Sequence, residues 1–272
     1  MPDKKTNIAE ICFPEAKNIM VSGDIHGNFN ELVYKLCVQY KLTDTLLVVA
    51  GDCGFGFELQ GYYENMVKRN DKRMSKANNW IVFIRGNHDN PAYFDGKTFK
   101  HRRFIAVTDY TVLKACSHTI LCIGGAISID RQWRKEQWLK MQSENIYTHN
   151  NPIRQELGRN VYWQAEAPIY DSKKMDVISK EFTVDTVITH TAPAFCESHS
   201  KDGLKAWGKR DSALLADVSL ERLIMDKIYN HLQQHNHHIK YWCYGHFHQS
   251  WHSSINDTLF IMLDIMEFYK LS

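Results

Sequence analysis

The 272-residue chain lacks any long hydrophobic run: its longest apolar stretches are under ten residues. A helix needs about 20 to cross a bilayer, so a membrane-spanning helix is not expected. No apolar segment follows the polar N-terminus MPDKKTNIAEICFPEAK, so a secretory signal is not expected. A disulfide pattern is missing too. The seven cysteines are odd in number, form no CxxC and in several cases sit inside apolar runs, which fits buried, reduced thiols and a cytoplasmic protein. Excess charge of one sign is absent, with 33 Lys+Arg against 31 Asp+Glu. Stable binding of nucleic acid is therefore not expected, and the basic clusters at 68–73, 101–103 and 131–135 read as solvated faces. No short period recurs, which excludes collagen-like and coiled-coil arrays. What the chain does have is 44% hydrophobic residues, with 13 Tyr, 13 Phe and 7 Trp, enough to build a substantial core.

The first half alternates apolar runs with helical patterns. Residues 18–22, 45–50 and 80–84 read as strands, the last two apolar throughout and so buried on both faces. Asn28 and Glu31 are spaced as a capping box before Leu32, Leu36 and Tyr40, and residues 58–78 are helix-forming. This β-α-β-α-β order predicts parallel strands. Residues 103–107, 110–114 and 119–124 read as short strands paired antiparallel. Residues 131–181 read as a partly helical insertion holding Trp133, Trp138 and Trp163 within a single domain spanning 1–272. Residues 186–189 return to strand. Residues 211–234 are the clearest helix, with Leu220, Ile224, Ile228 and Leu232 at every fourth position and Asp211 or Ser212 as cap. Residues 240–244 form a strand, and 250–255 with 258–263 a hairpin across Asn256-Asp257.

Five segments share one design, in which an apolar strand stops and Asp, Asn or His follows, beside Gly in all but one: Gly23-Asp24-Ile25-His26-Gly27, Gly51-Asp52, Gly86-Asn87-His88-Asp89, Thr189-His190 and Gly245-His246-Phe247-His248. Strand ends in α/β sheets are where functional groups gather, and glycine lets the backbone approach an ion or phosphate. A lone Gly-Asp is a turn and a lone buried His is a hydrogen-bonded core residue; five in succession are not five turns. Asp24, His26, Asp52, Asn87, His190, His246 and His248 offer two carboxylates, four imidazoles and one amide oxygen. That is too many for one metal and suits two adjacent divalent ions, with Asp52 placed to bridge. Mixed N/O ligation without thiolate favours manganese, with iron, zinc, cobalt or nickel as alternatives, over calcium or magnesium.

In these ordered blocks, D-x-H, G-D, G-N-H-[DE], H and G-H-x-H, the chain resembles the calcineurin-like metallophosphoesterases. The resemblance implies an α/β fold, a two-sheet mixed β-sandwich flanked by α-helices. It implies Asp24, His26, Asp52 and His248 as ligands of one metal and Asp52, Asn87, His190 and His246 of the other. His88 matches the family's non-ligand histidine, which faces the leaving group. The implied chemistry is hydrolysis of a phosphoester: a hydroxide between the ions attacks phosphorus in line, while His88 assists the leaving oxygen and Asn87 donates to a phosphate oxygen. The expected substrate is a phosphomonoester or a small phosphodiester or nucleotide. A catalytically silent scaffold of the same fold is the alternative.

The blocks around Asp24 and Asn87 are near those of the protein-phosphatase and bis(nucleosyl)-tetraphosphatase branches. Those branches carry an Asp-Arg-Gly-like stretch after the second block; here Phe55 and Gly56 stand in its place, which moves the reading away from a serine/threonine protein phosphatase. Arg85 reads as a phosphate contact or a salt-bridged strand-end residue. Residues 124–131 read as the rim of the substrate cleft, with Arg131 as a substrate contact and the Trp residues either stacking on a flat leaving group or packing on the sandwich. Asp89 reads as orienting a histidine or as capping the turn before Pro91. His231, His235, His237 and His238 read as surface decoration at a helix C-terminus.

Overall fold

The structure is a computed structural model that describes residues 7–59, 61–143 and 161–272. Two mixed sheets pack face to face with helices on both outer surfaces. The five-stranded sheet has the order β12-β2-β3-β4-β5: β2 is Asn18–Ser22, β3 Thr45–Val49, β4 Trp80–Phe83, β5 Phe104–Ala106 and β12 Phe268–Leu271. The seven-stranded sheet has the order β1-β6-β7-β8-β9-β11-β10: β1 is Glu10–Cys12, β6 Thr111–Ala115, β7 His118–Ile123, β8 Thr186–Thr189, β9 Tyr241–Tyr244, β10 Trp251–Ile255 and β11 Thr258–Met262.

The continuous apolar runs become intelligible through strand alternation. Ile19, Val21, Leu46, Val48 and Val82 point inward, against Leu113, Ile120, Cys122, Ile188, Cys243 and Ile261 of the other sheet. Their neighbours Met20, Leu47, Val49, Ile81 and Phe83 point outward. They are covered by α1 (Phe29–Tyr34), which runs on as a π-helical turn, Lys35–Gln39, and by α2 (Tyr62–Ala77). Beyond the seven-stranded sheet lie α4 (Ser172–Glu181) and α6 (Leu214–Gln234), which bury Met175, Ile178, Met225, Ile228 and Leu232. Two further helices, α3 (Arg131–Ser143) and the short α5 (Leu204–Gly208), lie on the connections between these layers in the chain.

Strands β2, β3 and β4 pair in parallel, as their order predicts, and the β10–β11 hairpin turns at Asn256 and Asp257, both with positive φ. Several expectations are corrected. Strand β5 pairs parallel to β4 and completes the first sheet; only β6 and β7 form the antiparallel pair. Asn28 precedes α1, but its side chain makes no capping bond; its carbonyl accepts from Leu32 N at 2.9 Å. In α6 Leu220 is exposed, and the buried face is Leu214, Glu221, Met225, Ile228 and Leu232. Of the stretch read as an insertion, residues 144–160 lie outside the described residues. Its last part, α4, packs on the sheet and carries the crossover that the parallel pairing of β7 with β8 requires.

Candidate metal centre

Five parallel strands deliver the ligand candidates. Asp24 and His26 follow β2, Asp52 follows β3, Asn87 and His88 follow β4, His190 follows β8, and His246 and His248 follow β9. The loops are tied to one another by the backbone: Ile25 N and His26 N donate to Asp52 O at 3.2 and 2.9 Å. Gly51 and Gly86 are required by close approach. A Cβ on Gly51 would enter the His190 ring, and one on Gly86 would strike Asp52. His26, Asp52, His246 and His248 all hold positive φ, a conformation that Asp and His adopt more readily than most residues but still at a cost.

Two ligand groups result, Asp24, His26, Asp52 and His248 in one and Asp52, His190 and His246 in the other, each with its donor atoms within 4.8 Å of one another. Asp52 belongs to both. His248 Nε2 lies 2.9 Å from Asp24 Oδ2, and His190 Nε2 3.3 Å from Asp52 Oδ1. Asn87 Oδ1 joins the second group, 3.0 Å from His190 Nε2. The Ala50 carbonyl, 2.7 Å from His190 Nδ1, takes a hydrogen bond from that nitrogen and leaves Nε2 directed at the group.

The donors fit two divalent ions. Asp24 and Asp52 are fully buried; Asp24 Oδ2 meets only His248 Nε2, and Asp52 Oδ2 and His246 Nδ1 have no hydrogen-bond partner. Buried carboxylates left this way are costly without a cation. Burial disfavours the charged form of Asp52, yet His88 and His190 hold its carboxyl well below the usual range. Burial likewise pulls His190 down, but Asp52 and Asp24 overcome this and push it up to about 9. The pocket is built for positive charge.

His88 stands beside this group, with Nε2 3.7 Å from Asp52 Oδ2. Burial pushes it down to about 3 against the pull of Asp52, so the ring is neutral near pH 7. Asp89 neither orients a histidine nor caps the next turn, which Asn90 does through Ala92 N. Its buried carboxylate accepts four backbone N–H groups: Cys53 and Gly86 on Oδ2 at 3.0 and 2.8 Å, Gly54 and Phe55 on Oδ1 at 2.7 and 2.9 Å. It thereby fastens the Asp52 loop to the Asn87 loop.

A family model described as calcineurin-like phosphoesterase matches residues 17–250. The chain belongs to that family. It is accordingly a phosphoester hydrolase of a family that works with two metal ions. No curated protein matches. Among solved structures, the chain is similar to TT1561 of Thermus thermophilus, at 10% identity and a TM-score of 0.49, covering 92% of this chain and 90% of that one. It is also similar to the phosphopantetheinyl hydrolase PptH of Mycobacterium tuberculosis, at 13% identity and a TM-score of 0.39, covering 91% and 89%. A putative 5'-nucleotidase of Staphylococcus aureus matches at 11% identity and a TM-score of 0.44, with 94% of this chain spanning 50% of that one.

Of the two readings of Arg85 the salt-bridged strand-end one holds, and Arg131, read as a substrate contact, is engaged elsewhere. Arg85 is buried, its guanidinium donating to the carbonyls of Ala165 and Glu166 at 2.7 and 2.8 Å and to Asp109 at 3.1 Å. Arg131 is buried between Asp211 and Asp217, at 2.6 Å from each. Phe55 and Gly56, which stand where those two branches carry an Asp-Arg-Gly-like stretch, are both built into the packing here. Phe55 lies in an aromatic cluster with Phe29, Phe83, Tyr93 and Phe99. Gly56 is backed by Asn90 Cβ and Trp163 Cζ2, which a side chain there would meet at 2.8 and 3.1 Å. The histidine tract is not all surface. His237 is buried and accepts from Val184 N, and His231 stacks on His235 with ring centroids 4.3 Å apart. Sequence reasoning missed Ser128 and Glu166, which reach Asn87 from behind. Ser128 carried a signal, since it follows β7 and a Gly-Gly pair; Glu166 carried none. Among the described residues no helix is long and apolar enough to cross a membrane.

Proposed function

We propose that this chain is a two-metal phosphoester hydrolase whose ions are held by Asp24, His26, Asp52 and His248 on one side and by Asp52, Asn87, His190 and His246 on the other. The observation that carries the reading is the shared, buried Asp52 with an unpartnered oxygen between two complete donor groups. Divalent ions bound there, manganese first, would draw charge from the phosphoryl oxygens and make water a nucleophile near neutral pH. The chain's own residues do the rest. The neutral His88 ring donates its N–H to the leaving oxygen. Asn87 has one N–H committed to Ser128 Oγ, which leaves its second for a phosphoryl oxygen. Arg134 and Lys201 are the cations that bear on His88 and set a positive field over an arriving phosphate. Trp163 lies beside Gly56 and Asn90, two positions after His88 in the chain, and offers an aromatic surface. This supports a phosphomonoester or small phosphodiester with a flat leaving group, such as a nucleotide. The packing at Phe55 and Gly56 leaves no room for the protein-phosphatase arrangement. Seven free thiols support a reducing compartment, the cytoplasm.

The test is hydrolysis of an aryl phosphomonoester and its diester in Mn²⁺, with Asp52→Asn as blank. Turnover of either ester by the wild type, with the variant losing both turnover and bound metal, is the expected result. A wild type that binds metal and turns over neither ester, or an Asp52→Asn variant that keeps full turnover, would refute it.

A further inference from the structure

Behind Asn87 lies a chain of hydrogen bonds with a fixed direction. Asn87 Nδ2 donates to Ser128 Oγ at 2.8 Å, Ser128 Oγ donates to Glu166 Oε2 at 2.6 Å, and Ser128 N donates to Glu166 Oε1 at 3.1 Å. All three residues are buried. A serine hydroxyl has one proton. An ionised carboxylate only accepts, so with Glu166 in that form the proton goes to Glu166 and only lone pairs face Asn87. The amide must then turn its NH₂ to Ser128, and its Oδ1 faces His190 and the second donor group.

From this geometry we infer that Glu166 is a positioning residue: through Ser128 it fixes the amide of Asn87 with its oxygen toward the second metal. The inference rests on the binuclear reading above and deepens it. Glu166 is itself held by design. Arg85 clamps the carbonyls of Ala165 and Glu166, and Ala126 N donates to Glu166 O at 3.1 Å. Arg85 thus serves the centre by holding the segment that carries Glu166.

The isosteric Glu166→Gln reverses the polarity. Its amide NH₂ donates to Ser128 Oγ, which frees the hydroxyl proton for Asn87 Oδ1. The amide can then flip and present NH₂, a non-ligand, to the metal. Protonation of Glu166 does the same. Burial pushes its carboxyl up to about 8, against the Ser128 donors and Arg131, with Glu221 adding to the rise. Tyr162 and the Arg85 clamp also adjoin it.

The experiment is calorimetric titration of Mn²⁺ into wild type, Glu166→Gln, Ser128→Ala and Ser128→Thr at pH 8.5 and 6.5, with urea unfolding of each metal-free protein. Partners of metal ligands in the outer sphere are typically worth 10- to 100-fold in affinity. At pH 8.5 the second ion should bind at least tenfold more weakly to Glu166→Gln and Ser128→Ala, with the first ion unaffected. Ser128→Thr, which keeps the hydroxyl, should recover wild-type affinity. At pH 6.5 the gap between wild type and Glu166→Gln should narrow, because the wild-type carboxyl is protonated; ligand protonation cancels in that ratio. The urea midpoints of Glu166→Gln and Ser128→Thr should stay within error of wild type, while that of Ser128→Ala, which leaves the buried Asn87 N–H without its acceptor, should fall modestly. Two ions bound equally well by Glu166→Gln and wild type at pH 8.5 would overturn the relay alone, as would a Ser128→Thr as weak as Ser128→Ala. A large drop in urea midpoint would reduce Glu166 to a folding residue. A wild type that binds fewer than two ions would overturn the binuclear reading and the relay with it.

Discussion

Asp89 allows a stability prediction in which magnitudes decide. Its two oxygens take four buried backbone N–H groups, two each. Asp89→Ala orphans all four, at ~1–3 kcal/mol per donor or about 4–12 kcal/mol in total. Against this stands relief from a buried charge. Burial, and then Asp52, push the Asp89 carboxyl from its ordinary 3.8 up to about 6, a penalty of about 3 kcal/mol for the ionised form at about 1.36 per pKa unit. The net loss is therefore about 1–9 kcal/mol, comparable with the whole stability of an ordinary domain. Asp89→Asn keeps one accepting oxygen and orphans only two donors, about 2–6 kcal/mol, with the same relief. It should fall near wild type. The assay is urea unfolding of metal-free protein at pH 7.5. The informative quantity is the gap between the variants, expected to be at least about 2 kcal/mol with Ala the weaker. Equal stabilities for Ala and Asn, or an Ala variant within 1 kcal/mol of wild type (roughly one donor's worth), would refute the cradle.

His88→Ala should lower turnover by about 10²–10⁴, the usual worth of a positioned proton donor, with metal content retained; loss of an ion would make His88 a ligand. Gly56→Arg should lower the melting temperature and leave phosphopeptides unhydrolysed, because the new side chain meets Asn90 and Trp163; a stable variant that gains protein-phosphatase activity would reverse our account of that loop. His237 is lowered by burial first and then by His235 and His231. Its folded pKa lies below the unfolded value, so the unfolded chain binds the extra proton and stability is lost as pH falls below about 6.5. His237→Asn, which keeps an acceptor for Val184 N, should flatten the fall in melting temperature between pH 7 and 5.5; an unchanged slope would remove His237 as its source.

The cluster of candidate donors was legible because each block is local. A strand end, a glycine and one or two donors lie within five residues, and parallel strand order brings the blocks together without further information. The three apolar strands at the centre of the first sheet were legible for a related reason, since burial on both faces leaves no polar residue to interrupt the run. Strands β1 and β12 were not: Glu10–Cys12 and Phe268–Leu271 are short and almost wholly exposed or half-buried, so no apolar run marks them. Strand β5 was seen but misassigned, because three residues, Phe104–Ala106, carry no mark of the direction in which they pair.

The supporting residues were hidden for a different reason. Asp89 read as orienting a histidine or as a cap because its sequence neighbours are His88 on one side and Asn90 and Pro91, which form a cap, on the other; three of its four partners, Cys53, Gly54 and Phe55, lie more than thirty positions upstream. Glu166 is 38 residues from Ser128 and 79 from Asn87, the second figure being 166 minus 87. Neither acid stands out by composition or period. What they share is a buried carboxylate whose acceptor-only character sets the direction of the hydrogen bonds around it: toward backbone N–H groups at Asp89, toward a serine hydroxyl at Glu166. The candidate donors His26, Asp52, His246 and His248 sit in backbone conformations that cost free energy, and local sequence does not hold them there. Asp89 anchors the Asp52 loop, and Glu166 orients the amide beside it. A segment that reads in sequence as an appendage to the fold therefore supplies one of the constraints on the metal centre. A chain that kept all seven ligands and lost Glu166 would still match the family's blocks while holding its second ion poorly.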